Sequence, residues 1–238
     1  MKLDSDAFQK WESWGKQIHD DLCERLIHPR QYFRAFNEMA KANVEHISAH
    51  GGGDFFYFVA QGYITQVAMA IRRHSKDDES ISFMRVLKQL KTCAPQFTYG
   101  VYLQQHPIKP NYVVWQKPTF AQFSDDGIVV SGSRIAADIA ALEALTAKVV
   151  RLCDKEIAHL DSCGFFGSVT FGEVEACIDA FDKLVCKYFK LITQSMTGYS
   201  TLEATILTRW EEVFTVPMDL RNSTWRDMVS EAALGGGE

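Results

Sequence analysis

The chain has 238 residues, 47% of them hydrophobic, so it can bury a full core and falls in the range that one domain commonly occupies. Its 25 Lys and Arg against 30 Asp and Glu give a formal net charge of −5, which excludes a global basic field for nucleic acid or anionic membrane and leaves only local contacts. No run reaches the roughly 18 to 20 uncharged apolar residues of a membrane span, and Asp4, Asp6, Lys10 and Glu12 do not make a signal peptide, so a cytoplasmic location with no membrane partner is expected. The six cysteines (Cys23, Cys93, Cys153, Cys163, Cys177 and Cys186) form no C-x-x-C pair and read as reduced, mostly buried thiols.

From Asp6 to Leu26, apolar residues recur at helical spacing (Phe8, Trp11, Trp14, Ile18, Leu22, Leu26) and predict an amphipathic first helix. Pro29 suits the first turn of a second helix through Tyr32, Phe33, Phe36, Met39 and Val44, ended by Gly51, Gly52 and Gly53. Asp54 is the expected N-cap of a third helix, whose stretch from Phe55 to Ile71 is so continuously apolar that it should be central in the bundle. That helix exits into Arg72, Arg73, His74, Ser75 and Lys76, and Ser80-Ile81-Ser82-Phe83 with Leu87 and Leu90 predicts a short fourth.

Between residues 95 and 131, Phe97-Thr98-Tyr99, Tyr112-Val113-Val114-Trp115 and Ile128-Val129-Val130 are rich in β-branched and aromatic residues, which predicts an inserted irregular region with a few short strands. Ser133 is the expected cap of the longest helix, running without Gly or Pro to about Asp161 with a stripe through Ile135, Ile139, Leu142, Leu145, Val149 and Leu152. After a Gly-containing turn, Thr170 and Glu173 have the spacing of a capping box that opens a helix through Val174, Ile178, Phe181, Val185 and Phe189. The two should pair as an antiparallel hairpin. A short last helix is expected at about 202–214 and a flexible tail at 230–238. The expected architecture is thus all-α: one helical domain spanning 1–238, with its core in about 5–215 and a small irregular or β insertion at about 95–131.

The chemically suggestive segment is Asp154-Lys155-Glu156-Ile157-Ala158-His159-Leu160-Asp161. On an ideal helix, at about 100° per residue, Leu145, Leu152 and His159 lie nearly in line. Arg151, Lys155 and His159 make a strip of successive i, i+4 steps. A histidine between an apolar seam and a cationic strip suits phosphate binding and proton exchange with a ribose hydroxyl near neutral pH. A helix-end His with Asp161 two residues on is more often a structural or capping residue. Arg151 and Lys155 by themselves also read as a solvated face. Cys153, His159 and Cys163 do not have an established zinc spacing, and no metal or cofactor is expected. Cys153 beside Lys155 and Arg151 reads either as a core residue or as an activated thiol. Arg72, Arg73 and His74, with Lys76, are the densest positive cluster: they complement the helix macrodipole, or contact a nucleic-acid backbone. Tyr99, Tyr102, Lys109, Tyr112, Trp115 and Lys117 could stack bases, or cover a core or a subunit interface.

The segment from Asp154 to Asp161 resembles the Arg-Asp-Lys-x-x-Ala-His-x-Asp signature of HEPN (higher eukaryotes and prokaryotes nucleotide-binding) domains, in the branch associated with bacterial abortive-infection proteins. The apolar third helix ending in Ile71-Arg72-Arg73-His74 and the Ser80 to Phe83 start extend the likeness over about residues 5–215. The resemblance implies an HEPN-like antiparallel bundle, usually dimeric, in which paired Arg-x-His motifs meet in a cleft, and a metal-independent endoribonuclease or RNA-binding activity of a phage-defence or toxin-antitoxin type. It implies His159 as the proton-transfer residue, Asp154 and Asp161 as its orienting neighbours, Arg151 or Lys155 as phosphate contacts, and RNA, a second copy of the chain and a cognate antitoxin as partners. The sequence departs from the signature where Cys153 stands in place of Arg, and Arg151 lies two positions too early. A catalytically inactive helical interaction module of the same fold is the alternative, and an unrelated structural bundle a third.

Overall fold

The apolar spacing of the first forty residues gives two helices joined almost without a break. In a computed structural model of the chain, which describes residues 5–49, 52–76, 80–105, 113–157, 168–193 and 202, α1 (Ser5–Leu22) passes through a π-helical turn, Cys23–Ile27, straight into α2 (His28–Ala42). Phe8, Trp11, Ile18, Leu22 and Leu26 are buried, and the Trp11 indole donates to Gln89 Oε1 at 3.0 Å. Pro29 stands at the start of α2, directly after the π-helical turn, where the hydrogen-bond ladder changes register and its missing N–H is accommodated. A short α3 (Val44–Ala49) precedes α4 (Gly53–Ser75), followed by α5 (Phe83–Cys93), α6 (Tyr99–Gln105), α7 (Val113–Ala121), α8 (Gly132–Leu152) with a second π-helical turn over Cys153–Ile157, and α9 (Phe171–Ile192). The chain divides into two units, residues 1–206 and 207–238, and every described residue belongs to the first. Most of the last helix expected from sequence, and the tail, lie outside the described residues.

Paired positions fix the directions of the long helices. Lys148 meets Glu173, the Cys177 thiol donates to the Leu145 carbonyl, and Lys187 and Tyr188 both reach Asp138, so α8 and α9 are antiparallel as their hairpin connection requires. Gly15 lies against Phe189, Arg30 meets Asp179 and Asp182, and Arg34 meets Glu175, so the α1–α2 rod also runs antiparallel to α9. Helices α4 and α5 pack on α8, and α4 also contacts α9. α9 opens with the expected capping box: the Thr170 hydroxyl accepts from the Glu173 N–H at 3.2 Å, and the Glu173 carboxylate accepts from the Thr170 N–H at 2.8 Å. No helix among the described residues is long and apolar enough to cross a membrane.

Four expectations need correction. Among the described residues, the 95–131 region forms no strand: it folds as α6 and α7 with two isolated antiparallel bridges, Thr98 to Val129 and Ser124 to Val130. Its β-formers lack a partner strand, and Phe97, Tyr102, Phe120, Phe123 and Val130 bury themselves in the helical core instead. The cap of α8 is Ser131, which accepts from the Arg134 N–H, while Ser133 sits inside the first turn. Asp54 does not cap α4, whose N-cap is Gly52. It lies in the first turn, where a carboxylate complements the macrodipole. Finally, only the second half of α4 is central: Tyr63, Val67, Ala68, Ala70, Ile71 and His74 are buried, whereas Phe55, Tyr57 and Phe58 are largely exposed.

One buried ionic contact crosses this core. Arg30 and Asp182 are 1% and 3% exposed, the Arg30 Nη2 lies 3.6 Å from Asp182, and Asp182 also accepts from the Leu202 N–H. Asp182→Ala removes the buried carboxylate of this contact and the acceptor of the Leu202 N–H, while Arg30 keeps its 2.6 Å bond to the more exposed Asp179. It is therefore expected to lower unfolding free energy by about 2–3 kcal/mol, read from the urea midpoint, and a change below ~1 kcal/mol would contradict a buried contact.

Candidate functional site

α4 ends in a run of cations whose charge complements the C-terminal end of the helix dipole. Arg72 Nε donates to Asp154 Oδ1 at 2.5 Å, and Lys76 Nζ donates to Asp154 Oδ2 at 2.7 Å and Oδ1 at 3.1 Å. Burial works to raise the Asp154 carboxyl, but the bonds from Lys76 and Arg72 outweigh it and hold the group below its ordinary value. Two positions of the chain 82 residues apart, both singled out from sequence, are thus joined directly.

The neighbouring side chains of the same turn face α1. His74, 2% exposed, places Nε2 2.9 Å from Asp21 Oδ2, and because a carboxylate only accepts, Nε2 carries the proton. Arg73 Nη1 donates to both Asp21 oxygens at 3.2 and 3.3 Å, and Arg25 Nε donates to Oδ1 at 2.8 Å. The hydrogen bond from His74, with those from Arg25 and the charges of His74 and Arg73, overcomes burial and holds the Asp21 carboxyl well below the usual range. A cavity of about 110 Å³ borders this cluster, lined by Gln17, Ile18, Asp21, Arg73, His74 and Ile81.

The π-helical turn at Cys153–Ile157 alters the sequence reading of the segment next door. The buried face of α8 runs through Ile135, Ile139, Leu142, Thr146 and Val149 to Cys153, while Leu145 is 42% exposed. The seam keeps Ile135, Ile139, Leu142 and Val149 of the expected stripe but takes Thr146 and Cys153 in place of Leu145 and Leu152, and the 100° phase that aligned Arg151, Lys155 and His159 is interrupted at Cys153. Thr146 is tolerated in the seam because its hydroxyl donates to the Leu142 carbonyl at 2.8 Å. Cys153 is wholly buried. Burial pushes its thiol up to about 11, despite the opposing charges of Arg72 and Lys76, so at neutral pH it is a protonated core residue and no nucleophile.

Of the residues singled out from sequence, Arg72, Arg73, His74 and Asp154 are gathered at the end of α4. Arg151 is exposed and Lys155 half-buried on the segment that carries Asp154. His159 and Asp161 lie outside the described residues, as does Cys163. In the 95–131 region, Tyr102 is 1% exposed and Tyr99 packs on Phe120 at 5.2 Å, so these rings cover the core. Asp21 and Arg25 were not anticipated. Their only signal was position: Asp21 stands one turn after Ile18, at the margin of the apolar stripe, where an acid can reach a neighbouring helix. Compared with known proteins, the chain matches no family model, no curated protein and no solved structure.

This geometry makes two outcomes measurable. Asp21, depressed in the folded state, contributes stability that is whole above the ordinary aspartate value of 3.8 and is lost as pH falls from there toward the folded value. Asp21→Asn should therefore flatten the acid limb of a stability–pH profile below about pH 4, and Asp21→Ala should cost about 2 kcal/mol at neutral pH. An unchanged acid limb in Asp21→Asn would refute the assignment. An arginine at position 153 would bury a guanidinium in the core: Cys153→Arg is expected to destabilise by about 3 kcal/mol or more, and Cys153→Ala by only ~1 kcal/mol, in chemical denaturation.

Proposed function

We propose that the chain is an HEPN-like helical protein that binds and cleaves RNA without a metal, in a phage-defence or toxin-antitoxin setting, and that it works as a homodimer. His159 is the proton-transfer residue and Asp161 its neighbour. The observation that carries this reading is the convergence of Arg72 and Lys76 on Asp154, five residues before His159. In the signature the phosphate-steadying guanidinium comes from the residue before Asp154, which here is the buried Cys153. α4 delivers a guanidinium to the same segment from within the same chain, with Arg151 and Lys155 alongside. Asp154 then holds these cations in place, rather than orienting His159 alone. A fixed cationic group beside a histidine is sufficient equipment to move a ribose proton and steady the phosphate charge. RNA and a cognate antitoxin are the partners of this reading.

A second reading, an RNA-binding or interaction module of the same fold without catalysis, is favoured by one observation: the motif position is occupied by a core thiol. Incubation of purified protein with mixed RNA in chelator separates the two. The catalytic reading expects His159→Ala to reduce cleavage by about 10²-fold or more, and Arg72→Ala by a similar factor with the fold intact by circular dichroism. Equal background cleavage by wild type and His159→Ala overturns it. Retained RNA binding in that case supports the module.

A further inference from the structure

The cavity of about 110 Å³ beside Asp21 has no part in the reading above. It lies where three elements meet: α1 gives Gln17, Ile18 and Asp21, the last turn of α4 gives Arg73 and His74, and Ile81 comes from the entry to α5. A single water needs only about 10–15 Å³, so the space takes a small organic group. Its lining has polar groups to spare among the described residues. The Gln17 carboxamide makes one marginal bond, from Nε2 to Ser13 Oγ at 3.5 Å, and its Oε1 accepts none. Arg73 donates to Asp21 through Nη1 alone, leaving Nε and Nη2. His74 Nδ1 is buried without a partner, which native interiors rarely tolerate, so the protein's own groups do not complete this wall.

Charge narrows the occupant. The Asp21 carboxylate stands in the wall and is already met by Arg73, Arg25 and His74. An anion there would face that carboxylate, and a cation would face the two guanidiniums. Ile18, which is 1% exposed, and the half-buried Ile81 add apolar surface. A neutral ring with apolar faces and a polar edge fits all of this. Each nucleobase offers a donor beside an acceptor along one edge, which a carboxamide can meet with two bonds, and its faces pack on apolar side chains or a guanidinium plane.

We propose that this cavity is a base pocket, which takes one unstacked nucleobase of single-stranded RNA with the Gln17 carboxamide on its polar edge and Ile18 and Ile81 against its apolar surface. The inference rests on the RNA reading above and gives it a substrate class, since pairing in a duplex hides the edge that Gln17 reads. Arg72 and Arg73 are consecutive, so their side chains leave α4 about 100° apart. Arg72 turns to Asp154 and Arg73 to Asp21. The pocket and the cationic cluster assigned to the phosphate thus flank one helix end, an arrangement suited to a nucleotide next to the cleaved bond.

The test titrates the full chain with adenosine, cytidine, guanosine and uridine, and with inorganic phosphate and ribose 5-phosphate as competitors, followed by calorimetry. Saturable binding of at least one nucleoside, untouched by either phosphate, is expected. Gln17 is exposed on α1, so Gln17→Ala should keep the melting temperature and weaken the nucleoside about tenfold or more, while Ile81→Trp, which fills the cavity, should abolish binding. With a short single-stranded RNA as substrate, Gln17→Ala should raise KM about tenfold at nearly constant kcat, whereas Arg72→Ala lowers kcat. Absence of saturable binding for all four nucleosides at about 10 mM, or binding indifferent to both Gln17→Ala and Ile81→Trp, overturns the pocket. Displacement of the nucleoside by inorganic phosphate also overturns it, in favour of an anion site. Nucleoside binding that responds to both variants, in a protein that cleaves no RNA, overturns the catalytic reading alone and upholds the pocket.

Discussion

Two carboxylates, Asp21 on α1 and Asp154 on the π-helical turn after α8, hold the cationic end of α4, and that double grip ties the three elements together. Exposed ion pairs contribute little, because water screens them and long side chains lose freedom in forming them. This arrangement differs in one respect: His74 is buried, and its bond to the partly buried Asp21 is better shielded from water than an exposed pair. The pairs on Asp154 are half-exposed and weaker individually, but each oxygen is met by a donor fixed to the same helix end. Both carboxylates also stand at π-helical turns, Asp21 two residues before one and Asp154 within the other. A π turn shifts the angular phase of the residues after it, so a buried side chain and an outward acid can occupy adjacent positions, as Cys153 and Asp154 do.

The helices were legible because their apolar periodicity and their end signals agreed. The α1 stripe, Pro29, the Ser80 to Phe83 start and the Thr170–Glu173 box each act within a turn or two of chain, and such local chemistry survives in almost any tertiary context. The 95–131 region was not legible for the opposite reason. Strand formers express that preference only when another strand is present to pair with, and Tyr102 and Phe120 found a helical core first. The one-residue error in the α8 seam has a similar origin. Leu145 is more hydrophobic than Thr146, but a threonine can hide its hydroxyl on the preceding turn, so residue type misled where geometry decided.

The candidate site was half legible. Arg72, Arg73 and His74 stood out as a cluster and Asp154 as part of a motif, but nothing in a linear sequence couples them across 82 positions. Asp21 was invisible because an acid at the edge of an amphipathic helix looks the same whether it faces solvent or a buried imidazole. Cys153 is instructive in the other direction. Read linearly, it is a defect in a signature; in the fold it is the last member of a buried seam, and an arginine there would have to leave water without a partner. In the fold a thiol fills position 153, and α4 brings Arg72 to the neighbouring Asp154.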